Sequence, residues 1–188
     1  FDNASRVLTL VDQSDVVLTR ALLVVRDVRF IIDGSADTDT TGEDDDDDMG
    51  AIIFRGPFVI DLLSRSESRL DTKMILPGTY HHVQGHLRAL HEGDAAATPD
   101  LSFLIGATVY IEGEVLGEGG GPFTYEERID NEFQIRGAFT VEAETAATSF
   151  IAFDLGRWLQ GQDGRFLDPR VEENHQWLEW AIRHSIKF

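Results

Sequence analysis

The sequence predicts an all-β or β-rich α+β fold: an antiparallel β-sandwich with one C-terminal helix. Short runs rich in Val, Ile, Phe and Tyr recur along the chain, and clusters of Gly, Pro, Asp and Ser separate them, which is typical of strands and turns. Apolar residues at helical spacing occur only near the C-terminus. The length of 188 residues is that of one domain, so we expect residues 1–188 to form a single sandwich.

The N-terminal part predicts a short strand followed by a long one. Residues 5–11, "SRVLTLV", form a short β-branched run, and the turn cluster "DQSD" follows it. The apolar run of residues 16–33 is too long for one ordinary strand. Four of its apolar residues share a parity, namely Leu22, Val24, Val28 and Phe30. Arg26 interrupts this alternation, which predicts a β-bulge near Arg26–Asp27.

The middle of the chain predicts further strands. Gly56-Pro57 is expected to divide "AIIFRGPFVIDLL" into two short extended pieces. Residues 80–90 predict a strand with Val83, Leu87 and Ala89 facing inward. "GEGGG" (117–121) predicts the turn of a hairpin between two alternating runs, since glycines supply positive φ angles. Two more strands are predicted at "EFQIRGAFTVEA" and "TSFIAFDL".

The C-terminal segment predicts a helix over about 168–184. Asp168 is a suitable N-cap, and Pro169 suits the first turn. The apolar stripe of this helix is predicted to contain Val171, His175, Leu178 and Ile182. We expect Trp177 to pack onto the sandwich, and a second short helical piece is predicted at "GRWL" (156–159).

Charge and cysteine content exclude several classes of function. The net charge of −18 disfavours nucleic-acid partners, which require clustered Lys and Arg, so none is expected. No run of about 18 apolar residues is present, so no transmembrane segment is predicted. The absence of cysteine excludes disulfides and thiolate-ligated metal. A first residue that is not Met is expected either of a processed, exported chain or of a sequence that starts at an internal point, and Asn3 begins a glycosylation sequon, Asn3-Ala4-Ser5. We therefore expect an extracellular or cell-surface location.

Four segments resemble a known family. They are "LLVVRDVRFIIDG", "FVIDLL", "ILPGTYHHVQGHLRAL" and "GAFTVEAETAATSFIAFDL". Together they are similar to exported bacterial and archaeal β-sandwich domains of unknown function that are often lipoprotein-anchored. Here "LPGTY" lacks the residue that this family usually has between the proline and the glycine, and the Trp-rich C-terminal helix lies outside the pattern. The resemblance implies an extracellular sandwich and transfers no catalytic residue.

The acidic segment 33–50 is expected to be a loop, and it fits a twelve-residue calcium-binding loop. Gly42 would occupy the sharp turn of that loop. The candidate ligands are Asp37, Asp39, Thr41, Glu43 (through its carbonyl), Asp45 and Asp48. The alternative is a solvated loop that raises solubility. Calcium is the one cofactor that the sequence suggests.

The remaining polar residues predict no catalytic centre. His82 and His86 lie on one predicted strand and would be about 13 Å apart, too far to share one zinc ion. Glu126-Glu127 and Asp130 could imitate a carboxylate pair, but such neighbours arise by chance in a chain with 34 acidic residues. No nucleophile, zinc-protease or phosphate-loop motif is present, and we expect the protein not to be an enzyme.

Two functions follow from these features. One is a structural subunit of a cell-surface filament or layer that self-assembles, with the N-terminal strand either paired in its own sheet or donated to a neighbour. The other is a monomeric exported module that binds calcium, a glycan or a protein. The residues predicted to form an interface are Val7, Leu8, Leu10, Trp180 and Phe188.

Overall fold

The strands and helices of the chain are seen in a computed structural model that describes residues 6–9, 15–32, 51–64, 77–94, 96–143 and 151–187. The strands are β1 (Arg6–Thr9), β2 (Asp15–Ile32), β3 (Ala51–Asp61), β4 (Gly78–Leu87), β5 (Val109–Val115), β6 (Gly121–Glu127), β7 (Asn131–Val141), β8 (Ala152–Phe153) and β9 (Ile186–Lys187). The helices are two 3₁₀ helices, Pro99–Leu104 and Glu172–Asn174, and two α-helices, α1 (Leu155–Trp158) and α2 (His175–Arg183). The predicted β-rich antiparallel fold with one short C-terminal helix is confirmed.

Strand β2 organises the sheet because it pairs with four other strands. One of its edges carries β1 along residues 15–18 and β3 along residues 22–31. The opposite edge carries β5 along residues 16–23 and β4 along residues 25–32. Strand β6 continues the sheet beyond β5, and β7 continues it beyond β4. Strands β1 to β7 therefore form one antiparallel sheet with two arms that share β2. One arm contains β1, β5 and β6 beside the first part of β2, and the other contains β3, β4 and β7 beside its second part.

The predicted β-bulge in β2 is present. The register with β3 shifts between Val25 and Asp27, and the register with β4 shifts between Val25 and Val28. An extra residue in a strand reverses the face on which later side chains lie. Consequently Leu22 and Val24 belong to one buried cluster, whereas Val28 lies in another together with Phe30. The predicted bulge therefore divides these four residues, which share a parity in the sequence, between two faces of the sheet.

The predicted division at Gly56-Pro57 is only partly correct, because β3 is one strand across these residues although its pairing with β2 skips both of them. Gly56 lies against the bulge of β2, and its backbone N–H donates to Asp27 Oδ1 at 3.2 Å. A Cβ atom at this position would lie 2.0 Å from the Arg26 carbonyl oxygen. The glycine therefore allows two backbones to approach closely and keeps β3 paired with β2 beside the bulge.

Side chains from both arms contribute to one large core. Its members include Leu18, Leu23, Val83, Leu87, Ile111, Tyr125, Phe133, Trp158, Leu178 and Ile182. The predicted inward positions Val83, Leu87 and Ala89 are buried. Thus α1 and α2 bury their apolar side chains in the same core as the sheet.

A smaller core lies on the other face of β2. Leu22 and Val24 pack there against Leu101 and Leu104 of the 3₁₀ helix Pro99–Leu104. The sequence did not predict this helix, because six residues are too few to show a helical period. Its presence explains why β2 is buried on both faces near its centre.

The predicted hairpin is confirmed. β5 and β6 pair from Val109–Glu127 to Val115–Gly121. Gly117 and Gly119 in the turn have φ angles of 94° and 76°, which glycine adopts without strain. The alternating apolar residues of both runs are buried, namely Val109, Ile111, Val115, Phe123 and Tyr125.

The C-terminal helix is shorter than predicted. It begins at His175, and Asp168 is not its N-cap. The Asp168 carboxylate instead accepts hydrogen bonds from the backbone N–H of Arg170 at 2.9 Å and from Arg170 Nη2 at 2.6 Å. Arg170 Nη1 also donates to the carbonyl of Gly119 in the hairpin turn. This tertiary contact holds residues 168–171 in a non-helical conformation.

Replacing Asp168 with Asn is expected to destabilise the protein by up to about 1 kcal/mol at neutral pH, because a charge-assisted contact at a partly solvent-exposed position is lost. The hydrogen bond from Arg170 lowers the pKa of Asp168. A lowered carboxyl pKa contributes stability above the ordinary value of about 3.9, and that contribution is lost as the pH falls through the lower folded-state pKa. Urea unfolding of both proteins between pH 7 and pH 2 should therefore show a difference that shrinks in acid. A difference that stays constant down to pH 2 would contradict this assignment.

Candidate assembly interface

Several predicted site residues lie outside the described ranges. The candidate calcium ligands there are Asp37, Asp39, Thr41, Glu43, Asp45 and Asp48, within the predicted loop 33–50. Asn3, Leu10 and Phe188 also lie outside the described ranges. Within those ranges, no three His, Asp or Glu side chains are placed to hold a metal ion. Calcium binding by the acidic segment therefore stays a prediction.

Two predicted interface residues, Val7 and Leu8, lie on β1. This strand pairs antiparallel with the start of β2, from Arg6 opposite Leu18 to Thr9 opposite Asp15. Alternation along the strand places Leu8 against the large core and leaves Val7 64% exposed. On its opposite edge, the same part of β2 pairs with β5. β1 is therefore an outer strand of the sheet in the part of the chain that the structure describes.

Among the residues that the structure describes, few interactions hold β1 in place. Its ladder with β2 is four residues long, and Leu8 is its apolar side chain that packs against the core. Burying a whole leucine side chain contributes about 1.5–3 kcal/mol, and Leu8 is only partly buried. Local opening of such an edge strand costs much less than global unfolding. We therefore expect that β1 can open while the rest of the sheet stays folded.

Trp180, the third described interface residue, lies on the outer side of α2. The inner side of this helix buries Leu178, Ala181 and Ile182. Trp180 is 37% exposed and Trp177 is 48% exposed. The expectation that Trp177 packs onto the sandwich is therefore wrong, because a residue next to Leu178 in a helix is rotated about 100° away from the buried side.

The predicted apolar stripe of the helix is only half correct. Leu178 and Ile182 are buried as predicted, but Val171 is 41% exposed because it precedes the helix. His175 Nε2 donates to the carbonyl of Pro169 at 2.9 Å, and its ring meets Tyr125 edge-on at 5.1 Å. Burial raises the pKa of Tyr125 far above its ordinary value. His175 and Tyr125 therefore serve packing between α2 and β6.

His184 also lies on the outer side of α2, and the sequence did not predict its contact with Trp180. Its ring stacks on Trp180 with centroids 4.2 Å apart and planes 22° apart. His184 Nδ1 donates to the Trp180 carbonyl at 2.7 Å, which holds the imidazole in this position. Trp177, Trp180 and His184 have the spacing i, i+3, i+7, a signal that a search for a second helical stripe would have found.

The histidines of β4 do not converge. His81 is exposed and His82 is half-buried, as expected for neighbours on a strand. His86 Nε2 lies 2.6 Å from Asp130 Oδ1, and this hydrogen bond lowers the pKa of Asp130. The contact joins β4 to the turn before β7.

The carboxylates of the hairpin contact tyrosines and an arginine. Tyr110 Oη donates to Glu112 Oε1 at 2.5 Å, and burial raises the pKa of Tyr110 to about 12. Glu112 also pairs with Arg20 of β2 at 3.4 Å, and Glu127 accepts from Tyr125. These contacts join neighbouring strands or residues of one strand.

The fold and these surfaces define an antiparallel, β-rich protein with a C-terminal helix. No protein-family model, curated protein or solved structure matches the chain. In the described ranges, no helix is both long enough and apolar enough to cross a membrane.

Proposed function

We propose that this protein is an extracellular structural subunit of a cell-surface filament or layer, and that neighbouring subunits exchange β1. The observation that supports this proposal best is the position of β1. It is a four-residue outer strand, held by one apolar side chain and a short ladder along Asp15–Leu18 of β2. An edge that accepts a strand from its own chain can accept the same strand from another copy.

Exchange preserves the contacts of β1. The donated strand would pair with Asp15–Leu18 of the neighbour in the same register, with Leu8 in the same position against the core. Only residues 10–14 separate β1 from β2, and short connections favour exchange between copies. When each copy donates to the next in one direction and the rotation between copies does not close a ring, a filament results.

The net charge sets the conditions under which such copies associate. Each chain carries a charge of −18, so free copies repel one another, and salt screens this repulsion. Calcium bound by the segment 33–50 would also reduce this repulsion. Backbone hydrogen bonds and Leu8, which are not weakened by salt, supply the attraction.

A pair of introduced cysteines can distinguish exchange from pairing within one chain. The native chain contains no cysteine, and Val7 lies opposite Val17 in the register of β1 and β2. The double variant Val7→Cys/Val17→Cys should give a ladder of covalent multimers on a non-reducing gel after oxidation at high salt. The matched control is Thr79→Cys/Thr140→Cys, whose native hydroxyls lie 3.1 Å apart between β4 and β7. The control should form its disulfide within one chain and give only a monomer band.

Deletion of residues 1–11 is the complementary test. We expect the shortened chain to give no filaments in electron micrographs, because it keeps the acceptor edge and lacks the donor strand. Unchanged assembly after the deletion, or a monomer band alone for the double-cysteine variant, would show that β1 is not exchanged. A sharp monomer peak in sizing chromatography, with and without calcium, would favour the monomeric binding module instead.

A further inference from the structure

We propose that the outer side of α2 is a docking site for an arginine- or lysine-bearing segment of a partner protein. We define this outer face by Glu173, Trp177, Trp180 and His184. The spacing of these residues, four, three and four positions, places them in one row along the 3₁₀ helix Glu172–Asn174 and α2. This site is separate from β1 and does not depend on strand exchange.

The outer face exposes large apolar surface without a structural need for it. Trp177 and Trp180 are 48% and 37% exposed, whereas Leu178 and Ile182 already attach the helix to the core. Tryptophan is enriched among residues that dominate binding energy at protein interfaces. Two exposed indoles on one helical turn therefore indicate a binding surface.

The Trp180 and His184 rings of this face are held against each other before a partner arrives. His184 stacks on Trp180 at 4.2 Å and is anchored by its hydrogen bond to the Trp180 carbonyl. α2 itself is fixed on its inner side, and Arg183 pairs with Glu179 at 2.6 Å and donates to Asn131 Oδ1 at 2.9 Å. A preorganised aromatic surface loses little conformational entropy on binding.

The charge around the face selects a cationic partner. Asp168 is neutralised by Arg170, and Glu179 by Arg183. Glu172 and Glu173 are exposed at the start of the row, and no cation among the described residues pairs with them. A guanidinium or ammonium group can lie over an indole and contact a neighbouring carboxylate. The net charge of −18 would also attract such a partner and repel anionic polymers, anionic lipid and a second copy of this chain.

Tryptophan fluorescence offers a direct measurement of docking. Trp158 is fully buried, so a change on titration reports on Trp177 and Trp180. The probe is a synthetic peptide of alternating Arg and Leu, compared with the same peptide carrying Glu in place of Arg. We expect a saturable emission change with the Arg peptide, weakening as salt rises, and none with the Glu peptide.

Variants locate the binding site by isothermal titration with the Arg peptide. Trp177→Ala/Trp180→Ala should weaken binding at least about tenfold, as expected for loss of central aromatic contacts. Glu172→Gln/Glu173→Gln should weaken it about threefold to tenfold at low salt. The matched control, Glu92→Gln/Asp100→Asn, removes two exposed carboxylates near the smaller core and should bind like the native protein. All the substituted side chains are exposed, so circular dichroism should show an unchanged fold.

Several outcomes would overturn the proposal. They are equal binding of the Arg and Glu peptides, full binding by the double tryptophan variant, and an equal loss in the control. An emission change with a neutral oligosaccharide or with phosphatidylcholine vesicles, but not with the Arg peptide, would assign the face to a glycan or a membrane. A change that depends only on protein concentration would assign it to a second copy.

Discussion

Replacing Trp158 with Ala is expected to lower the free energy of unfolding by about 3–5 kcal/mol, the usual cost of removing a buried large aromatic side chain. Trp158 is 1% exposed and lies in the core to which both arms of the sheet contribute. Its Nε1–H donates to Ser185 Oγ at 2.5 Å, and Ser185 Oγ donates in turn to the carbonyl of Ile182. The substitution therefore leaves a cavity and breaks the link between α1 and the end of α2.

Urea unfolding followed by circular dichroism measures this effect. The matched control is Trp177→Ala, which removes the same side chain from an exposed position on the neighbouring helix. We expect the control to change the free energy of unfolding by less than about 0.5–1 kcal/mol. Equal losses for the two variants would mean that Trp158 does not anchor the C-terminal segment in the core.

Replacing Gly113 with Ala is expected to destabilise the protein by about 1–3 kcal/mol, the usual range for an added methyl group in a closely packed position. A Cβ atom at Gly113 would lie 2.4 Å from the carbonyl oxygen of Val17 and 2.9 Å from Phe123 Cζ. Gly113 pairs with Leu18, so relief of the clash requires β5 to move away from β2. That movement would disturb the part of β2 whose other edge carries β1.

The same chemical change at Gly93 provides the control. Gly93 is exposed, and no atom lies within 4 Å of a Cβ built there. Gly93→Ala should leave the free energy of unfolding unchanged, or raise it by up to about 1 kcal/mol, because alanine lowers the conformational entropy of the unfolded chain. If both glycine variants unfold at the same urea concentration, β2 and β5 are not packed as closely as described.

Features that depend on near neighbours could be predicted from the sequence. The hairpin follows from glycines between two alternating runs, and Gly117 and Gly119 have the positive φ angles expected of them. The bulge follows from the pair Arg26–Asp27 inside an apolar run. The side chain of Arg26 reaches Asp94, at 2.9 Å, and this partner is 68 residues away and could not be inferred.

Features that depend on distant partners were predicted wrongly or were missed. Asp168 has the chemistry of an N-cap, but Arg170 engages its carboxylate and binds the hairpin turn, so the helix starts at His175. β3 was expected to break at Gly56, but close contact with the bulge of β2 keeps it continuous. In each case a contact between separate elements overrides the local preference.

The candidate interface residues show the same difference between features set by near neighbours and features set by distant partners. The sequence pattern predicted that β1 is a separate strand and that Trp180 is an interface residue, because turn residues and clustered aromatic residues can be recognised in the sequence itself. It did not show that Trp177 is exposed or that His184 stacks on Trp180.

The β-rich class, the hairpin and the bulge are predictable from the order of residues, since these features arise from the spacing of residues close together in the chain. The tertiary structure alone decided that β2 is shared by both arms and which side of α2 faces solvent. The physical reason is that burial and pairing depend on which distant elements come to lie against a given side chain, and local spacing does not encode that choice.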